Sequence, residues 1–561
     1  MKNAMQLKAM IKNLSKEKHI SAQLVLQNYM LERLLERISL SKYNRNFILK
    51  GGLLIASMLG LDARATMDMD ITIKGEPLNA ENVNLIFSEI INVVLDDNIT
   101  FELKGVSEIR EGSEHAGYRI SLTGNFPPMA VPLKLDIGYS EMGEWWIPDT
   151  PQNKQIGMLA IEDDEKIRLS LFGSLDKQDG LRAMLGQTTV IHGKLRSGDN
   201  VFLSNCYYAG GGKWIVNILL KGRSLCLLKN LNAYSFEKVT VTYNGLEEWI
   251  GGRFWPTREI HNLTENGKMR LSGKLTLQRR DLISYKLDDC LMEINYRWNF
   301  NYIDSNLTGF DYIAFSYKNG KTYEDIERRL YIFGDFLLLC LGIPIVTDKV
   351  VMRLDSDNTN DIQAYFVKRA NVDDKKVSVH KMLSYGDVQN DFQAIVNKWF
   401  ELNFIEETRD AIAMYTESYE AGTVVEITFL ILFQACEGLA KRIEPDSCKE
   451  ASAKNILKHI LLTVKDHLPK IITDDKILNA FTKKANDTRR YWVHNSGNVK
   501  KSDIFDRELA VINTILRYAL RTYLLLLTGV PKDVISSTLS IKNTVGSECI
   551  AELEVMLNTL N

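Results

Sequence analysis

The sequence predicts a multidomain α+β protein. An α/β module spans residues 1–141 and an antiparallel β-rich domain 142–320. A helical or mixed connector covers 321–384, and an all-α bundle covers 385–545. Three observations predict this order. At 561 residues the chain exceeds one compact domain and corresponds to three or four. Its composition, 45% apolar and 25% charged, is that of an ordinary globular protein and excludes disordered, collagen-like and disulfide-scaffold chains. The hydrophobic period changes twice, from mixed to two residues and then to the helical 3.6.

Each element has its own signal. Gln23 to Ile38 places Leu24, Leu26, Tyr29, Leu31, Leu34, Leu35 and Ile38 largely on one side of a helix. A Lys50-Gly-Gly52 turn, a short helix and several strand-like runs complete the first module. Alternation then sets in at Lys166–Leu171, at Lys238–Tyr243 and most clearly from Met292 to Tyr302. Turn signals at Gly210-Gly-Gly212, Asn244-Gly245 and Asn266-Gly267 separate such runs, as in an antiparallel sandwich or barrel. Thr322-x-x-Asp325 has the form of a capping box, and its helix stops near Gly342 and Pro344. Further helices are predicted at 388–402, 406–419, 423–442, 451–466, 475–492 and 503–527. The last carries a core stripe of Ile512, Ile515, Leu516, Ala519, Leu520, Tyr523 and Leu524.

Charge and cysteine usage narrow the function classes. With 69 basic and 71 acidic residues the net charge is −2, so no whole-protein field draws in nucleic acid, and polyanion binding requires a local patch. Seven dispersed cysteines form no C-x-x-C pair, which argues against structural zinc and disulfides and for reduced cytosolic thiols. The N-terminus has no continuous apolar region of signal type, and the longest apolar runs, Phe336–Leu341 and Ile427–Phe433, fall short of a bilayer span. A cytoplasmic protein without membrane attachment is expected.

The first chemical constellation lies in the α/β module. Phe47-Ile-Leu-Lys-Gly-Gly52 ends an apolar run in a glycine turn, and Asp68-Met-Asp70 follows. A third carboxylate, Asp136, sits in the apolar run Val131–Ile137. Residues i and i+2 of a strand face one side, so Asp68 and Asp70 can share metal ions and Asp136 on a neighbouring strand can complete a two-Mg²⁺ clamp. Gly51 and Gly52 would let backbone N–H groups approach a nucleoside triphosphate. A second D-x-D, Asp355-x-Asp357, has neither the glycine turn nor the apolar frame. Residues 20–138 resemble the AbiEii/AbiGii-type nucleotidyltransferase toxins through Leu49-Lys-Gly-Gly52, Arg64-Ala-Thr-Met-Asp-Met-Asp70 and Pro132-Leu-Lys-Leu-Asp136. The resemblance implies metal binding by Asp68, Asp70 and Asp136, with nucleotide binding by Gly51 and Gly52. Because the β-rich texture begins within ten residues of Asp136, the module is expected to be incomplete, joined to a different protein near Met142.

The second constellation is Asp487-Thr-Arg489-Arg490-Tyr-Trp-Val-His494-Asn495. Five residues advance a helix by about 500°, bringing an Arg and a His at a helix end within reach of one phosphate. The histidine can exchange a proton with the ribose 2′-OH or the 5′-oxygen while the guanidinium clamps the phosphate, and no metal is required. Arg110-x4-His115 has the same spacing in a polar, glycine-containing loop, where solvation suffices to explain it. Residues 441–500 hold 13 Lys and Arg against 7 Asp and Glu, a local basic zone suited to RNA.

Residues 385–530 resemble a HEPN ribonuclease domain through Arg489 and His494, and Gln434-Ala-Cys-Glu437 looks similar to the helix that packs beside that motif. Gly143-Glu-Trp-Trp-Ile-Pro148, Gly157-Met-Leu and Leu171-Phe-Gly-Ser174 resemble the N-terminal domain of ApeA-type anti-phage proteins. The fold class thus becomes a nucleotidyltransferase-like α/β module, a β-rich domain and an all-α HEPN bundle. The resemblance implies a homodimer, an RNA substrate, a phage-derived trigger sensed by the β-rich domain, and defence by abortive infection.

The leading expectation is a metal-independent endoribonuclease with Arg489 and His494 catalytic and Arg490, Asn495 and Glu437 supporting. The alternative is a nucleotidyltransferase using Mg²⁺ and an NTP. The third is a non-enzymatic interaction protein.

Overall fold

A computed structural model describes residues 4–18, 21–44, 46–50, 68–73, 80–108, 118–161, 166–176, 188–251, 257–265, 268–276, 283–301, 306–355, 361–366, 382–419, 424–494 and 504–559. Two compact units divide the chain. One comprises Met1–Tyr234 with Val351–Arg353 and Asp357–Val367, and the other takes the remainder.

The first unit begins with helices α1 (Ala4–Lys18) and α2 (Ala22–Leu40), then strands β1 (Phe47–Lys50) and β2 (Asp68–Ile73), helix α3 (Ala80–Ile91), and strands β3 (Thr100–Glu108), β4 (Tyr118–Phe126) and β5 (Met129–Trp146). Ser21 caps α2 by accepting a hydrogen bond from the Leu24 N–H at 3.2 Å. Leu31, Leu34 and Ile38 enter the core as expected, while Leu26, Tyr29 and Leu35 only flank it. The buried face is turned toward Met30 and Arg37, and Arg37 supplies the reason. Its guanidinium forms a two-pronged bond with Asp97, both contacts 2.9 Å, donates to the Ile99 carbonyl at 2.6 Å, and lies over the Phe101 ring. A period-based reading assigns an arginine to solvent and cannot foresee a partner sixty residues away.

β2 runs parallel to β5 and antiparallel to β1, while β4 joins the other side of β5 and carries β3. The strand β5 does not stop where the sequence texture changes. Its second half pairs antiparallel with β6 (Gln155–Ile161) and with β8 (Thr189–Leu195), and Met142 lies opposite Met158 in the ladder. The expected junction near Met142 therefore falls inside a continuous strand. With β7 (Ile167–Leu171), β9 (Asn200–Gly210) and β10 (Lys213–Gly222), the pairing runs β5-β6-β7-β10-β9-β8 and returns to β5, a closed antiparallel barrel. Trp145, Leu159, Leu169, Ile191, Leu203 and Trp214 fill it. Gly193 is the register partner of Trp145, and a Cβ built there would lie 2.3 Å from the indole ring, so only glycine lets the ring cross the strand. The Gly210-Gly211-Gly212 turn between β9 and β10 uses positive φ throughout, as its sequence announces.

The second unit opens with β11 (Phe236–Tyr243), a hairpin of β12 (Thr257–Glu265) and β13 (Lys268–Thr276), then β14 (Ile283–Lys286), β15 (Cys290–Asn301) and β16 (Asn306–Lys321). An antiparallel sheet runs β11-β16-β15-β14. On β15, Met292 and Ile294 are buried as the alternation requires, whereas Tyr296 is only half-buried. Helix α4 (Tyr323–Leu341) follows. The Thr322 hydroxyl accepts the Asp325 N–H and donates to the Asp325 carboxylate, and Gly342 ends the helix in the left-handed region.

Among the described residues, the later helices longer than ten residues are α5 (Phe392–Phe404), α6 (Glu406–Glu417), α7 (Val425–Ile443), α8 (Ala453–Thr463), α9 (Asp475–His494), α10 (Leu509–Leu527) and α11 (Ser547–Asn558). The predicted stripe on α10 is buried at every position. Among the described residues α10 alone has the length and hydropathy of a membrane span, but 72% of it is buried inside the protein, as in a core helix. All seven cysteines are free thiols.

Two outcomes test this packing. Gly193→Ala is expected to destabilise the barrel by about 1–3 kcal/mol through overpacking, read as an earlier unfolding transition of the full chain. For Asp97, burial pushes the carboxyl up, but Arg37 and the Ile99 N–H together hold it below the usual carboxylate range. Stability from this pair is therefore present at neutral pH and lost as pH falls through the lowered value. Asp97→Ala should remove that acid dependence and cost about 3–5 kcal/mol, measured by denaturant unfolding across pH.

Candidate functional site

The helical site starts from the burial pattern of α9. Ile477, Leu478, Phe481, Thr482, Ala485 and Thr488 make one buried face, which sets the rotation of the residues that follow. Arg489, one step beyond Thr488, faces α7; its side chain is 22% exposed. Its Nη2 donates to Glu437 Oε2 at 3.0 Å, and its guanidinium lies 5.4 Å from the Phe433 ring centroid. Phe433 and Glu437 stand one helical turn apart on α7, so one face of that helix offers the arginine an aromatic floor and a carboxylate wall. Glu437 is buried, and Arg489 supplies the opposite charge that burial demands. Partial exposure leaves further N–H donors of the fork for a ligand.

α7 and α9 run antiparallel. Lys458 of α8 bonds Asn479 near the start of α9, and His459 bonds Glu444 just past α7; Arg489 meets α7 nearer its middle. The end of α9 therefore lies toward the beginning of α7. His494 is the last residue of α9 and is exposed, as is Arg490. A cation formed on His494 would sit at the negative end of the helix dipole. The Thr488 hydroxyl donates to the Lys484 carbonyl and accepts the Phe505 N–H at 3.2 Å, so the chain beyond the site returns to the helix. Phe505 also packs on Phe481 and under Lys484. Asn495 lies outside the described residues.

Thus Arg489 and Glu437 are brought together, while Arg490 and His494 stand exposed in the last turns of α9. Two supporting residues escaped sequence reasoning. Phe433 had a signal, a position one turn before Glu437. Thr488 had none, since its role depends on a contact 17 residues away.

The second constellation is fixed at the level of backbone register. Asp70 is the direct partner of Asp136 across the parallel β2–β5 pair, and Asp68 is the partner of Lys134. Met69, Ile71 and Leu135 are buried, so alternation places positions 68, 70 and 136 together on the opposite face. Lys50 is the register partner of Asp70 on the other side. Gly51, Gly52, Arg64 and Thr66 lie outside the described residues. An all-oxygen set on adjoining positions fits a hard cation such as Mg²⁺.

Comparison with known families gives three matches. Residues 33–161 match the family described as nucleotidyl transferase AbiEii toxin, Type IV TA system. Residues 140–399 match ApeA N-terminal domain 1, and residues 430–534 match Apea-like HEPN. An AbiEii-like module precedes an ApeA-like pair of domains. No curated protein matches the chain. The AbiEii-like match contains all five residues of the carboxylate and glycine constellation. It overlaps the ApeA-like match over 140–161, the second half of β5 together with β6. The HEPN match contains Glu437, Arg489 and His494 and ends beyond α10.

The ion pair makes a quantitative expectation. In a double-mutant cycle, Arg489→Ala and Glu437→Ala should couple by about 1–3 kcal/mol in unfolding free energy, and additivity would show the pair to be incidental.

Proposed function

We propose that this ApeA-like chain is an anti-phage effector whose HEPN-like domain cleaves RNA through Arg489 and His494. The observation that carries the reading is an arginine oriented by Glu437 and Phe433 on the same helix end as an exposed histidine, inside the HEPN match. The ribose 2′-oxygen would attack the adjacent phosphorus. His494 would take the 2′-OH proton or deliver one to the departing 5′-oxygen, and Arg489 would stabilise charge on the phosphoryl oxygens. The 2′-O–P bond forms as the P–5′-O bond breaks, leaving a cyclic phosphate and a free 5′-hydroxyl. One histidine per chain serves one proton transfer at a time, which favours a homodimer with two pairs at one groove. Exposed Val424, Val425 and Ile427 at the start of α7, and Trp492 and Val493 at the end of α9, offer apolar area for such pairing. In this reading Arg490 and Asn495 support the RNA, the barrel region responds to a phage-derived trigger, and the protein works in the cytoplasm.

The second reading, a nucleotidyltransferase, is favoured by the register of Asp70 with Asp136. Asp68, Asp70 and Asp136 would hold Mg²⁺, which in such sites activates the attacking hydroxyl and neutralises the pyrophosphate. Gly51 and Gly52 would serve the NTP phosphates. Labelled-nucleotide transfer that requires Mg²⁺ and disappears in Asp68→Ala supports it.

For the leading reading, RNA cleavage should persist in EDTA and fall by about 10²–10⁴-fold in His494→Ala. His494 is exposed, so this variant should unfold like the parent. Cleavage at the parental rate in that variant rejects the assignment.

A further inference from the structure

The barrel of the first unit carries a cavity that neither reading uses. Its volume is about 350 Å³, and Thr188, Thr189, Ser204, Asn205, Asp149 and Lys229 supply its polar lining. That size lies at the lower end of small-molecule sites.

The cavity is built on an irregularity of the barrel. Thr189 pairs with Cys206 and Ile191 with Leu203, so Ser204 and Asn205 together oppose the single residue Val190. This is a β-bulge, a device that re-aims side chains and recurs beside binding sites. Asn205 has a φ of 51°, in the left-handed region that asparagine tolerates better than most residues. The bulge turns both of its residues, an alcohol and an amide, onto one cavity wall.

The Lys229 side of the cavity is anchored by residues that alternate with the barrel's inward-facing set. Buried His192, in ring contact with Trp146 and Phe202, uses Nε2 to donate to the Leu228 carbonyl at 3.0 Å. Burial pushes the pKa of this imidazole below its usual value. The Leu228 N–H donates to the Tyr234 hydroxyl at 3.1 Å, and that hydroxyl donates to the Cys226 carbonyl. The backbone just before Lys229 is thereby fixed at two points. The Lys229 ammonium meets the Asp149 carboxylate at 3.3 Å, with both side chains about four-fifths exposed. A contact so open to water contributes little and yields readily to a better anion.

From this geometry we infer that the cavity binds a small phosphate-bearing molecule no larger than a mononucleotide. Lys229 takes the phosphate, the Thr189, Ser204 and Asn205 side chains donate to its oxygens, and Asp149 accepts from a sugar hydroxyl. Three hydroxyls, an amide and one releasable cation on a mostly polar wall suit an oxyanion better than an apolar ligand. The inference stands apart from both readings of the enzymatic sites.

Calorimetric titration of the full-length chain carrying His494→Ala tests it at constant ionic strength. The probes are inorganic phosphate, ribose 5-phosphate and the four ribonucleoside monophosphates. At least one organic phosphate is expected to bind more tightly than inorganic phosphate. Lys229→Ala should weaken it by about ten- to a hundredfold. Asp149→Asn should tighten it, because the amide oxygen still accepts from the sugar hydroxyl while the charge that competes for Lys229 is removed. Both side chains are exposed, so both variants should unfold like the parent. Opposite signs, a gain with Lys229→Ala and a loss with Asp149→Asn, would mean a cationic ligand and overturn the inference. So would the absence of binding by every probe at millimolar concentration. Neither result depends on RNA cleavage, which the chain tested cannot perform if His494 is catalytic.

Discussion

The first unit depends on the ladder of β5. Its first half places Leu133 and Leu135 in the α/β core and holds the register of β2; its second half places Trp145 in the barrel. Eighteen residues of unbroken strand impose one alternation on two cores, so a one-residue slip would turn both apolar sets outward together. Gly193 marks how tightly that register is fixed, because the Trp145 ring occupies the space where any side chain there would begin. The Asp70–Asp136 register also belongs to this ladder, so the barrel and the carboxylate positions share one mechanical reference.

Much of this was legible in the sequence, for identifiable reasons. Helices in the second unit announce themselves by apolar stripes and caps, and Thr322, Gly342 and the α10 stripe appear where those signals place them. Short-range chemistry is local, and local chemistry is written in order. The boundary near Met142 behaved differently. A change of texture there reflects a change of surroundings, because β5 leaves an α/β core and enters a barrel without interrupting its backbone. Composition follows environment, so it can shift within an element. Arg37 shows the same limit, since its burial depends on Asp97 across sixty residues.

The site residues divide along the same line. Arg489 and His494 stand out by type and spacing, but spacing alone could not say that the arginine faces inward onto Phe433 while the histidine stands in solvent. That asymmetry follows from helix geometry: the five-residue step leaves them about 140° apart, once Thr488 has fixed the rotation. The Asp149–Lys229 contact was illegible for a different reason. It depends on a bulge between β8 and β9 and on a buried histidine holding the chain from behind.

The pairing of Arg489 with Glu437 has a consequence for the making of the chain. Its two halves lie 52 residues apart, and Phe505, which steadies the arginine's helix through Thr488, comes later still. A ribosome releasing this protein would therefore expose a folded barrel well before the arginine could find its carboxylate. If that arrangement damages RNA, the translating message is spared until Phe505 has emerged. The order of synthesis would then itself delay assembly of the site.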